Sequence, residues 1–232
     1  MSDETSITVA EARELVSDAA VWPRMRDFLW DFASQIHPSW LEDVQGLETP
    51  SAHVADGLMS SPRIRRHVLD VLGVKPCFHA FPKGDWSRLL LLDGATLLAV
   101  ARWLGALACA AKLRRVTDGA MVRKLNEALP GVYPEVFGYM AYFSNFNFQC
   151  RDAEAQIQRE ELAEYVVDAG CSLLCSPLSS LSETLLCRMK YKLPKSISLS
   201  LRAAVLDKAD VLAAISKLFK LRFPEAYKLC CS

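Results

Sequence analysis

A chain of 232 residues can bury a substantial core and fits one large domain or two small ones. Hydrophobic residues make up 51% and charged residues 23%, ordinary globular usage, and a mean hydropathy of +0.13 points to an efficient core plus apolar surface kept for a partner. Lys and Arg total 27 and Asp and Glu total 27, so the concentrated positive charge demanded by nucleic acid as the main ligand is missing.

Helix signals recur from end to end. Thr8 with Glu11 forms a capping box, T-x-x-E, opening a helix toward Ala20. Pro23 suits a first helical position, and Met25, Phe28, Leu29 and Phe32 follow at helical spacing until His37 and Pro38 end the element. Residues 43–60 read as loop or broken helix. Ser61 and Pro62 then start a helix through Ile64, Val68, Leu69 and Leu72, with Gly73 as its stop. Pro76, Pro82 and Gly84 make 74–84 the candidate subdomain boundary. Asp85 and Asp93 are candidate N-caps for the two halves of an apolar stretch rich in alanine, read as the central helix of a bundle. Asp118 caps a helix carrying Met121, Val122, Leu125 and Leu129, closed by Pro130 and Gly131. The aromatic stretch 133–148 is predicted to be helical after Pro134 and to loop at 145–147. An amphipathic helix over 154–169 is predicted to end at Gly170, followed by helices over 177–192 and 197–220 divided by Pro194. No strand run, internal repeat or sustained heptad appears, so the expected fold is all-α. The chain reads as a single helical domain over 1–232 or, divided at the boundary stretch, as an N-terminal helical subdomain over 1–75 and a helical core over 85–232.

Residues 89–111 are long enough to cross a bilayer, but Asp93 and Arg102 fall within them, and a charge near the middle of a spanning helix costs roughly 2.5–3.5 kcal/mol. A buried core helix is the expectation, with no direct membrane insertion. The eight cysteines are not preceded by a basic segment and apolar run at the N-terminus, so reduced thiols and a cytoplasmic location are expected. Cys171 and Cys175 stand four apart on an expected turn, Cys77 lies near His79, and neither pair has a second half at zinc-site spacing. Cys230 and Cys231, at the end of the chain, are expected to be mobile rather than ligating. The four histidines, His37, His53, His67 and His79, lie in the first eighty residues, away from most cysteines, and no local signature marks a thiol nucleophile. The phosphate cradle G-x-x-x-x-G-K-[ST], the dinucleotide loop G-x-G-x-x-G and the elbow G-x-S-x-G are missing too. The expectation is a protein that is not an enzyme, with no cofactor and no metal.

Three basic clusters occur: Arg63, Arg65 and Arg66; Lys112, Arg114 and Arg115; Arg188, Lys190, Lys192 and Lys195. Solvated helix faces account for them, and a docking patch for an acidic partner is the functional alternative. The most individual segment is 36–41, reading IHPSWL, in which His-Pro-Ser-Trp is a helix stop and turn that returns Trp40 and Leu41 to an apolar surface as an anchor for the N-terminal helix.

This string resembles the N-terminal hallmark of the SctK (YscK-type) proteins, accessory components of the type III secretion sorting platform. The layout is similar elsewhere: LLLLDGATLLAVARWLGALACAAKLRRV leads into DGAMVRKLNEAL, and the chain closes on LFKLRFPEAY. The resemblance implies a non-enzymatic adaptor peripheral to the cytosolic face of the bacterial inner membrane. It would link the cytoplasmic domain of the inner-membrane ring protein to the pod protein, without cofactor or nucleic acid. At residue level the carry-over reaches His37, Pro38, Ser39 and Trp40, and with Arg63, Arg65 and Arg66 these are the candidate partner-binding residues. Without a coiled-coil seam a monomer is expected in isolation. The alternatives are a secreted effector or thiol-dependent enzyme, and a secretion chaperone, which would be smaller, more acidic and dimeric.

Overall fold

The computed structural model describes residues 21–44, 59–75, 81, 86–146, 161–197 and 208–231. Among the described residues the fold is all-α, with ten α-helices joined by 3₁₀ turns and no strand. The helices are α1 (Val21–Trp30), α2 (Pro62–Val71), α3 (Gly94–Ala108), α4 (Ala110–Leu113), α5 (Gly119–Ala128), α6 (Val136–Tyr139), α7 (Leu162–Cys175), α8 (Glu183–Lys192), α9 (Lys208–Arg222) and α10 (Pro224–Cys231). The capping box at Thr8 and Glu11 and the loop stretch 45–58 lie outside the described residues, as do His53, Cys77, His79 and Cys150.

The described residues fall into two compact units. The first takes in the chain up to Gly94, then 181–196, then the residues from Lys228; the second takes in 95–180 and 197–227. The units part at Gly94 and Ala95, and both are discontinuous in the chain. The physical reason lies in α8, whose side chains bond to elements at the N-terminal end, as described below.

In the first unit, α1 buries Val21, Met25, Phe28 and Leu29 on one stripe and carries Pro23 in its first turn, where backbone N–H groups have no helical partner in any case. The helix ends at Trp30, earlier than the proline signal at 37–38 implies. Asp31 leaves the helical region at φ −121, ψ 40, and Phe32–Gln35 continue as a 3₁₀ turn that buries Phe32 and Ala33. Helix α2 starts as read, with Ser61 in extended geometry and Pro62 at its first position. It is closed by Gly73 at φ 66, a conformation glycine adopts without penalty.

In the second unit, α3 is the central helix. Leu97, Val100, Ala101, Leu104 and Ala106 are fully buried. The apolar stretch 89–111 is broken as expected, because a 3₁₀ turn at Ser87–Leu91 ends with Leu92 at ψ 145 before α3 begins. No helix among the described residues is long and apolar enough to cross a membrane. Asp118 caps α5, its carboxylate accepting from the Met121 N–H at 3.0 Å.

Three further sequence expectations need correction here. Gly170 does not stop a helix: α7 runs through it to Cys175. Its role is packing, since a Cβ there would stand 1.7 Å from the Ala101 carbonyl oxygen, and one on Gly105 would stand 1.8 Å from the Val166 carbonyl oxygen. Two glycines facing each other let the α3 and α7 backbones touch, at Gly105 and Gly170. Cys171 and Cys175 consequently lie one helical turn apart inside α7, not on a turn, and both are buried. Finally, the chain end is ordered: Pro224 starts a new helix after Phe223, and Cys230 is 2% exposed.

Candidate functional site

Helix α8 is the tie that closes the first unit. Glu183 sits in its first turn and Lys190 and Lys192 in its last, each sign matched to the helix dipole. Leu185, Arg188, Met189 and Lys192 share the inward stripe, so two cations occupy core positions four residues apart. Arg188 and Lys192 are each 2% exposed, which corrects their reading as part of a solvated basic face.

Both cations bond to backbone carbonyls left over at the ends of other elements. The Arg188 guanidinium donates through Nη1 to the Phe28 and Leu29 carbonyls, at the last turn of α1, and through Nη2 to the Lys75 carbonyl at 3.1 Å. It also stacks 5.0 Å from the Phe32 ring centroid. A positive group on the unbonded carbonyls at a helix C-terminus opposes the negative end of its dipole. The Lys192 ammonium donates to the Leu90 carbonyl at 2.6 Å and the Leu92 carbonyl at 2.9 Å, at the end of the 3₁₀ turn, and lies 4.8 Å from the Phe28 ring. Burial lowers its pKa to about 7; Asp93 opposes the shift, and Arg24 and Arg188 add to it. Gly94 completes the packing, since a Cβ there would stand 2.1 Å from the Lys192 carbonyl oxygen.

The 37–40 string meets the C-terminal end of α8. His37 N–H donates to the Tyr191 carbonyl at 2.8 Å, and the Trp40 indole N–H donates to the Leu193 carbonyl at 2.8 Å. Lys195 N–H donates to the Ser39 hydroxyl at 2.9 Å. The His37 ring caps the 3₁₀ turn Pro38–Asp43, its Nδ1 accepting from the Ser39 N–H, and burial lowers its pKa. Trp40 is 8% exposed and packs edge-on against Tyr191 at 4.9 Å, whose hydroxyl donates to the Leu72 carbonyl at the end of α2. The string is thus a buckle between the first 3₁₀ turns and the C-terminal end of α8. Trp40 is an anchor within the chain, while Pro38 is exposed.

The remaining candidates divide. Arg65 pairs with Asp31, joining α2 to the end of α1, whereas Arg63 and Arg66 point to solvent without an ion pair among the described residues. Burial pushes the Cys171 thiol far up, helped by Cys175 and Asp168, and holds Cys175 and Cys230 at about 12. These three sulfurs stay protonated at neutral pH, which makes them poor nucleophiles. Among the described residues no group of three or more His, Cys, Asp or Glu side chains could hold a metal ion. Sequence reasoning missed Arg188 and Lys192 as core positions, although they share the stripe of Leu185 and Met189, which carries the signal.

Compared with family models, curated proteins and solved structures, the chain matches none of them.

Proposed function

We propose that the protein is a cytosolic adaptor of the type III secretion sorting platform that links the cytoplasmic domain of the inner-membrane ring protein to the pod protein. The observation that carries this reading is the IHPSWL string and the SctK-type layout of the segments after it. Two properties of the molecule support it. The string is built into the closure of the first unit, so a hallmark of this kind marks the scaffold on which binding faces are mounted. Three buried cysteines are held as thiols, which counts against the thiol-enzyme alternative at Cys171, Cys175 and Cys230. A helical scaffold of this kind can present two faces without refolding on binding.

Co-purification of the tagged, full-length protein with the ring domain and, separately, with the pod protein tests the reading. Stable capture of either supports it. Capture of neither by a sample with a helical circular dichroism spectrum overturns it.

A further inference from the structure

The outer face of α1 differs in kind from its inner one. Val21, Met25, Phe28 and Leu29 face the core, leaving Trp22, Arg26 and Trp30 on one outer stripe at spacings of four. Trp30 is 59% exposed, the most exposed large apolar side chain among the described residues, and its ring meets that of Trp22 edge-on at 5.8 Å. A rigid indole held ready in water beside arginines is the composition of interface anchors.

The charges beside it are one-sided. Asp27 is taken up by Arg26 at 2.8 Å, and Asp31, next to Trp30 in the chain, is taken up by Arg65 of α2. That pair brings the first half of α2 alongside the end of α1. Arg24, Arg63 and Arg66 remain exposed, with no ion pair among the described residues.

We propose that this face, Trp30 with the arginines of α1 and α2, docks an acidic protein surface that has an apolar recess for the indole. The proposal rests on the adaptor reading, because the occupant is one of the two platform proteins named there. A protein is favoured over an anionic membrane because Asp27 and Asp31, 39% and 43% exposed, lie within the face. A continuous layer of anionic headgroups would repel them, whereas a protein partner can place its carboxylates opposite the exposed arginines alone.

The test measures affinity of the full chain for the ring domain and for the pod protein at two salt concentrations. Trp30→Ala is expected to weaken binding to one of them by about 30-fold or more. Arg63→Glu with Arg66→Glu is expected to weaken the same complex and flatten its salt dependence. Tyr142→Ala, an exposed aromatic of the second unit, serves as the control and is expected to change nothing. Because Trp30 is exposed, its variant should melt with the parent, which a thermal scan checks. Parent-like binding by both variants, with the parent itself binding, overturns this proposal and leaves the adaptor reading standing. Failure of the parent to bind either partner overturns both. Co-sedimentation with phosphatidylglycerol-containing vesicles that the variants lose, while protein binding persists, overturns the proposal in favour of a membrane face.

Discussion

Replacing Gly170 with alanine would put a methyl carbon 1.7 Å from the Ala101 carbonyl oxygen and 2.8 Å from the Gly105 nitrogen. Both obstacles are backbone, so no side chain can turn aside to make room. Ordinary contact begins near 3.4 Å, and α3 and α7 must part by roughly 1.5–2 Å at the crossing. Overpacking of a filled core costs about 1–3 kcal/mol, and this case belongs at the upper end because parting the helices also opens gaps on either side. Alanine returns about 0.5–1 kcal/mol through its better helix propensity, leaving a net loss of about 2–2.5 kcal/mol. With a urea slope of about 2–3 kcal/mol/M, the unfolding midpoint falls by about 1 M. Urea titration followed by circular dichroism reads this directly. Gly138→Ala in α6, where nothing lies within 4 Å of the added methyl, is the control and should leave the midpoint unchanged or raise it slightly. Gly105→Ala should resemble Gly170→Ala, and the double variant should lose less than the sum, because one separation relieves both clashes. A Gly170→Ala midpoint equal to the parent's would refute the reasoning.

Other predictions follow from the closure of the first unit and from the thiols. Trp40→Ala should lower stability by about 3–5 kcal/mol, seen as an earlier thermal transition, whereas Pro38→Ala at the exposed neighbouring position should change it by less than about 1 kcal/mol. Lys192 takes up its proton more weakly in the folded chain, near pH 7, than in the unfolded chain at its ordinary 10.5. The unfolded state therefore binds more protons between these values, and folding stability rises as pH climbs from 7 by up to about 1.4 kcal/mol per unit. Lys192→Met should remove that slope, so a parent and variant whose stabilities stay parallel from pH 7 to 9 would count against the assignment. In native-state alkylation with peptide mapping, the intermediate-exposure Cys187 and Cys231 should label before Cys171, Cys175 and Cys230. Early labelling of Cys171 would contradict its placement in α7.

Local chemistry was legible where one residue sets the backbone. Asp118 at a helix start, Pro62 at a first helical position, Gly73 at a stop and the break at Asp93 and Gly94 all act through their own bonds, so spacing alone locates them. The misreadings share a different cause. Gly170 is both a breaker and the smallest packing surface, and only the neighbouring helix decides which property matters. Arg188 and Lys192 carry charges that composition assigns to water, yet the carbonyl ends of α1 and of the 3₁₀ turn before α3 replace that water with fixed acceptors. Likewise, Trp40 was identified as an anchor, but its acceptor, Leu193, is 153 residues away and no local pattern could name it.

That separation has a consequence for how the protein is made. The first unit cannot close until α8 has left the ribosome, because Trp40 and the end of α1 are bonded by residues 188–195. At about 5–20 residues per second, the 153 residues from the one after Trp40 to Leu193 take on the order of 10–30 seconds to synthesise. Through that interval Phe28, Phe32 and Trp40 have no finished core to enter. The early helices of this chain must therefore wait as exposed apolar segments, within reach of chaperones, until residues 188–195 have been made and supply the clasp.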